Sequence, residues 1–218
     1  MRIHLKIKSS NQVIPFNHQP LMVGTIHKWL GWNELHGSVA LFSFSRLEGA
    51  KLNNDGLRFE KGTAFYISAF DVGMIKLLIK GIQDDPSMFN GLIVDEIILQ
   101  NDPDLSQKEY FLIGSPIFIK RNEEGRVVHY FYNDPGANEL LKETLLTKMK
   151  KVGLEDDRLE ISFDLKYPKA GTKLIDYSGI KNRANWCPVI IKGKPETKLF
   201  AWNVGLGNST GIGFGAIQ

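Results

Sequence analysis

The stretch Thr63-Ala64-Phe65-Tyr66-Ile67-Ser68-Ala69-Phe70-Asp71-Val72-Gly73-Met74-Ile75-Lys76-Leu77-Leu78-Ile79-Lys80-Gly81-Ile82 changes its hydrophobic period halfway. With Leu57 to Gly62 ahead of it, the part up to Ala69 is rich in Phe, Tyr and Ile and predicts a strand over 57–69. From Val72 the apolar residues Ile75, Leu78, Ile79 and Ile82 recur three and four apart, which predicts a helix over 72–82. Downstream, Leu92 to Leu99 reads as a strand. Upstream, Asn53-Asn54-Asp55-Gly56 is a turn cluster and Leu41 to Ser45 alternates as a strand. Pro20 opens a helix that ends at Gly31, with Met22, Ile26, Trp29 and Leu30 at helical spacing. Residues 2–9 alternate Ile3, Leu5 and Ile7 with Arg2, His4, Lys6 and Lys8, as a half-buried strand does.

The order strand, helix, strand, strand, helix, strand is the split βαβ, or ferredoxin-like, arrangement. Polar residues 101–108, with Pro103, read as a linker. A second mixed pass follows: strands over 111–120 and 127–132, and a helix over 134–151 carrying Leu140, Leu141, Leu145 and Met149. Further strands fall over 158–165, 172–178 and 186–192, with a short helix over 195–202. The expected class is α+β: two tandem ferredoxin-like (βαββαβ) domains, residues 1–105 and 106–218, closed by a C-terminal glycine-rich loop.

With 43% hydrophobic and 23% charged residues over 218 positions, the chain has enough apolar material for two small cores. No run approaches the ~18 consecutive apolar residues of a membrane helix, and no signal peptide follows the basic, alternating N-terminus. The single cysteine, Cys187, excludes an internal disulfide and a thiol cluster for zinc, so a reducing cytoplasm is expected. The acidic pairs Asp84-Asp85, Asp95-Glu96 and Asp156-Asp157 have no His or Cys nearby and read as solvated turns or caps. No metal and no cofactor are expected.

The net charge of +3 is unevenly placed. Residues 166–198 carry Lys166, Lys169, Lys173, Lys181, Arg183, Lys192, Lys194 and Lys198 against Asp176 and Glu196, so this segment is +6 and the remainder −3. Such a concentration suits a polyanion site, and it suits a solvated hairpin equally. The tail from Asn203 to Gln218 holds Gly205, Gly207, Gly211, Gly213 and Gly215 among Leu206, Ile212, Phe214 and Ile217. The apolar anchors predict an ordered loop, whose backbone can approach a phosphate. A dinucleotide fingerprint would need a helix after it, and a Walker loop a Gly-Lys-Ser/Thr; neither is present.

Gly205-x-Gly207 followed by Gly213-Phe214-Gly215 resembles the C-terminal signature of the CRISPR-associated repeat-processing endoribonucleases, members of the RAMP superfamily. Phe42-Ser43-Phe44-Ser45-Arg46-Leu47 resembles that family's Phe-x-Phe-Ser-x-Leu strand. Phe111 to Ile117 resembles the strand opening its second domain, and Tyr177-Ser178-Gly179, Pro188 and Lys192-Gly193 match its C-terminal run. The resemblance implies metal-independent cleavage of CRISPR repeat RNA (pre-crRNA) by attack of a ribose 2′-hydroxyl, leaving 2′,3′-cyclic phosphate and 5′-hydroxyl ends. It also implies repeat RNA as partner, with other CRISPR effector proteins and a homodimer as further partners.

Histidine suits both proton transfers of such a reaction. His36 lies where the family carries its usual catalytic histidine. His27 falls off the apolar stripe of the first helix, and its position resembles one where some members place a tyrosine. His4 and His129 read as strand surface residues, and His18 as a loop residue. Some members carry a lysine six residues after the histidine. Here that position is Phe42, and Arg46, Ser43 and Ser45 are the candidates for a transition-state contact. Lys181, Arg183, Lys192, Lys194 and Lys198, with the tail residues Gly205, Gly207, Asn208, Ser209, Gly211, Gly213 and Gly215, are the expected RNA-binding set. Trp186 and Trp202 are candidates for stacking on a base. The alternatives are a non-cleaving RNA-binding RAMP subunit, which would not need His27 or His36, and an RRM-like single-strand binder, whose aromatic RNP sequence is absent.

Overall fold

The structure, a computed structural model, describes residues 1–31 and 39–218. The first domain runs β1 (Arg2–Ile7), β2 (Ser10–Ile14), α1 (Gln19–Leu30), β3 (Phe42–Phe44), β4 (Lys51–Asn53), β5 (Gly56–Phe59), β6 (Thr63–Ala69), α2 (Val72–Asp84) and β7 (Val94–Gln100). Its main sheet is antiparallel in the order β3-β6-β1-β7, as the ferredoxin-like fold requires. Ile3 pairs with Ile67 and Leu99, and Leu5 with Phe65 and Ile97. This register turns Ile3, Leu5 and Ile7 to the face covered by α1 and α2. In α2, Met74, Ile75, Leu78 and Ile82 are the buried stripe, and the Asp71 carboxylate caps the helix by accepting from Gly73 N at 2.8 Å. The two helices cross tightly: a Cβ on Gly81 would lie 2.0 Å from the Trp29 carbonyl oxygen.

The second domain runs β8 (Tyr110–Phe111), β9 (Lys120–Glu123), β10 (Arg126–His129), α3 (Ala137–Lys150), β11 (Glu160–Phe163), β12 (Gly171–Tyr177), β13 (Ile180–Trp186), β14 (Val189–Lys192) and α4 (Pro195–Val204). Its sheet is ordered β11-β14-β8. The tail adds a fourth position beside β8: Ile113 pairs with Ile217, and Leu112 and Gln218 exchange N–H···O bonds of 3.0 and 2.8 Å. The strand order thereby repeats that of the first domain. Leu141, Leu145 and Met149 of α3 pack with Ile161, Val189, Ile191, Phe200 and Val204 as a separate core. Two hairpins, β9–β10 and β12–β13, project from this unit.

The domains meet where the second sheet face of the first domain is covered by α4 and the tail. Arg2 lies there, 2% exposed. Its Nε donates to Ser68 Oγ at 2.6 Å, and Nη2 donates to Trp202 O at 3.1 Å and Ile217 O at 2.7 Å. The guanidinium stacks on Tyr66 and Trp202, 3.9 and 3.5 Å from their ring centroids. Trp202 is thus held in the core and is not a base platform.

Two of the expected strands change. Residues 57–69 break into β5 and β6 at a turn where Gly62 N donates to Phe59 O. Of residues 111–120, only Phe111, in β8, and Lys120, which opens β9, lie in strands. Between them the chain changes partner at each step, because Pro116 has no N–H to continue a ladder and Gly114 is wedged against Tyr66, where a Cβ would lie 2.0 Å from Oη. Arg46 N donates to Gly114 O, Gly114 N to Ala216 O, and Ile117 N to Asn185 O. The buried apolar residues Ile117, Phe118 and Ile119 tie tail and hairpin together instead of extending one sheet. Strands β2, β4 and β13 are additional to the expected elements.

Candidate RNA cleft

A cavity of about 680 Å3 opens between the domains. Its first wall is His27 of α1 with Val39, Ala40 and Phe42 leading into β3. Its second is Arg121 of β9 with Glu143, Thr144, Thr147 and Lys148 of α3. The tail from Gly207 to Ile212 forms its floor. His27 is half-buried, placed there because it lies beside the apolar stripe that seats Ile26 and Leu30 in the core. His36 lies outside the described residues, three positions before Val39 in sequence.

The tail is a packed loop with a 3-10 turn over Thr210–Ile212. Its glycines separate into two groups. A Cβ on Gly215 would lie 1.9 Å from Leu206 O at φ +71°, and one on Gly207 would lie 2.4 Å from Phe118 O at φ +73°. Both positions therefore exclude any side chain. Gly205 and Gly213 are likewise pressed against Ser43 and Phe44 of β3. Gly205, Gly207, Gly213 and Gly215 are buried and serve packing, and Gly207 with Asn208, Ser209 and Gly211 also lines the cleft. Asn208 is fixed by its N–H to Phe118 O at 2.7 Å and by its Oδ1 accepting from Lys120 N at 2.9 Å.

The other expected site residues are dispersed. Ser43 is fully buried, its hydroxyl 3.3 Å from Asn203 O. Ser45 is buried, accepting from Tyr66 N and donating to Arg46 O. Arg46 borders a smaller cavity with His18 and Asp176, apart from the His27 cleft. Lys181 and Arg183 are exposed on β13, but Lys198 is 2% exposed and donates to Ser106 O at 2.7 Å. Lys194 Nζ donates to Glu155 O, and Lys192 pairs with Glu160 on the sheet of the second domain. Neighbours in sequence are separated because β14 and α4 point their lysines to different sides.

Lys148 is the site residue that sequence reasoning passed over. It continues the spacing of Leu141 and Leu145 on α3, and a lysine inside an apolar stripe was the available signal. It is 4% exposed, and its Nζ donates to Val204 O and Gly205 O, both at 3.3 Å, and to Thr210 Oγ1 at 3.1 Å. It thus clasps the end of α4 to the cleft-lining turn. Burial pulls its pKa down to about 7. A group depressed in the folded state contributes stability that is complete above its unfolded pKa and lost as pH falls towards the folded value. Raising the pH from 7 to 9 is therefore expected to add about 2 kcal/mol of stability through this group. In Lys148→Met this rise disappears, as read by urea unfolding at the two pH values. An unchanged slope in the variant would contradict the assignment.

Among the described residues, no group of three or more His, Cys, Asp or Glu is placed to hold a metal ion, and no helix is long and apolar enough to cross a membrane. The family model for CRISPR associated protein Cas6, C-terminal, matches residues 100–218. Among solved structures, one described as the characterization of a Cas6-related gene from Pyrococcus furiosus aligns with TM-score 0.87 at 22% identity, covering 100% of this chain and 97% of that one. One described as a CRISPR associated protein Cas6 aligns with TM-score 0.83 at 21% identity, covering 100% and 98%. One described as an RAMP protein binding different RNA substrates aligns with TM-score 0.85 at 20% identity, covering 100% and 98%. These likenesses show the paired ferredoxin-like fold. No curated protein sequence matches the chain significantly.

Proposed function

Since the chain belongs to the CRISPR associated protein Cas6 family, we propose that it is an endoribonuclease that cuts CRISPR repeat RNA in the cleft between its domains, without a metal ion. The observation that carries this reading is the placement of His27 in one cavity with the family's tail residues, Gly207 to Gly211. In this reading His36 and His27 divide the proton transfers. One takes the proton of the 2′-hydroxyl as its oxygen attacks the adjacent phosphorus; the other protonates the departing 5′-oxygen. The products are a 2′,3′-cyclic phosphate and a 5′-hydroxyl. Asn208, Ser209 and the backbone of Gly207 and Gly211 would face the phosphate, with Lys181 and Arg183 of β13 on the flanking backbone. The similarity of the fold to an RAMP protein binding different RNA substrates supports the RNA-binding part.

The test is a 5′-labelled hairpin repeat RNA from the same genome, incubated with the protein in EDTA. A single cut ending in a cyclic phosphate, abolished by a 2′-deoxy sugar at the cut site, is expected. Tight binding without a cut would replace the enzyme by a non-cleaving RNA-binding subunit.

A further inference from the structure

A further cavity, of about 300 Å3, lies on the other side of the tail turn, between the hairpins β9–β10 and β12–β13. This is at the lower end of the ~300–1,000 Å3 range of small-ligand sites. Beneath it the buried rings of Phe118 and Phe214 pack with centroids 5.0 Å apart, and the half-buried His129 stands edge-on to Phe118, also at 5.0 Å. Tyr177 completes the wall. Val127 and Ile180 line the mouth, 63% and 66% exposed, one on each hairpin. Apolar side chains so exposed at the mouth of an aromatic cavity suit a flat, weakly polar ligand. Polar groups are few but convergent: Asn182, Ser209 and Lys120, whose Nζ lies 5.7 Å from the Phe118 ring centroid. Burial, and then Lys120, lower the pKa of His129, so its imidazole offers a neutral ring at neutral pH.

The surroundings select the ligand class. The two hairpins carry Lys120, Arg121, Arg126, Lys173, Lys181 and Arg183, against Glu123, Glu124 and Asp176. Ser209 and Ile212 line both this cavity and the His27 cleft, so one strand crossing the tail turn passes from one to the other. We infer that this cavity is a subsite for a single unpaired nucleobase of the bound RNA, stacked on the half-buried rings of His129 and Tyr177, which the buried Phe118–Phe214 pair backs, with its phosphates on the hairpin cations. The inference rests on the RNA-binding reading above and adds a point of base recognition to it.

The test places single abasic nucleotides through the unpaired segments of the repeat RNA and measures binding to wild type, His129→Ala and Ile180→Glu. Ile180 is exposed, so Ile180→Glu leaves folding intact should His129→Ala impair it. Loss of one base–aromatic stack corresponds to about 5- to 150-fold in Kd. One abasic position is expected to weaken wild type by about tenfold or more, and to leave both variants nearly unaffected. Equal sensitivity of all three proteins at every position would overturn the subsite. A second arm follows the His129 ring resonances during titration with AMP, GMP, CMP and UMP. Shifts with a mononucleotide but no binding of the repeat RNA would keep the subsite and remove the repeat-RNA reading. Absence of both shifts and abasic coupling would remove the subsite.

Discussion

His27→Ala and His36→Ala are each expected to slow single-turnover cleavage of repeat RNA by about 10^2- to 10^4-fold, the usual contribution of a positioned acid or base. Binding should change little, because neither imidazole needs to be charged to hold the RNA. The argument for His27 is geometric: it is the histidine that the described structure places in the cleft with the tail. For His36 the argument is the resemblance, together with its position in the segment joining α1 to the cleft residue Val39. If the two work as acid and base, the rate has a bell-shaped pH profile in wild type. Each single variant loses one limb. His27→Ala within threefold of wild type would remove it from the mechanism and leave His36 to be tested alone.

Arg2→Ala is expected to destabilise the protein by about 3 kcal/mol. The buried Trp202 O loses the Arg2 donor and Ile217 O keeps only the Tyr66 hydroxyl, and an unsatisfied buried group costs roughly 1–3 kcal/mol. Two cation–π contacts are lost as well, each worth roughly 0.5–2 kcal/mol. Opposing this, a guanidinium no longer has to be taken out of water. Burial pulls the Arg2 pKa down to about 10 and that of Tyr66 up to about 12, so at neutral pH one is charged and the other neutral. Arg2→Lys should recover only a small part of the loss, because an ammonium cannot span Ser68, Trp202 and Ile217 with a planar fork. The measurement is the urea midpoint and slope. A change below about 1 kcal/mol would show that α4 and the tail hold the seam without it.

The first domain was legible because its elements obey one period each: the alternation in β1 and the helical stripe of α2 both face a single core. Residues 111–119 were not, since a run of apolar residues reads as a strand whether it pairs with one neighbour or with several in turn. Of the candidate site, the motifs picked out His27 and the tail residues Gly207 to Gly211, which share one cavity. Charge alone did not indicate where a side chain is placed. A sequence shows that Lys198 is basic, but not that helix α4 turns it inward to the Ser106 carbonyl. Lys148 shows the converse: a lysine at a core position is a polar clasp when a helix end supplies bare carbonyls for it.

The Ile217 carbonyl accepts from both Arg2 and Tyr66, residues of the first domain's sheet. In N- to C-terminal synthesis the sheet that carries these donors is made before α4 and the tail, which cover it. At ~5–20 residues per second, the remaining hundred or so residues take on the order of ten seconds to follow. Through that interval the nascent sheet exposes Arg2, Tyr66 and Ser68 to water. Polar side chains on that face can be hydrated before the tail docks, as apolar ones in their place could not.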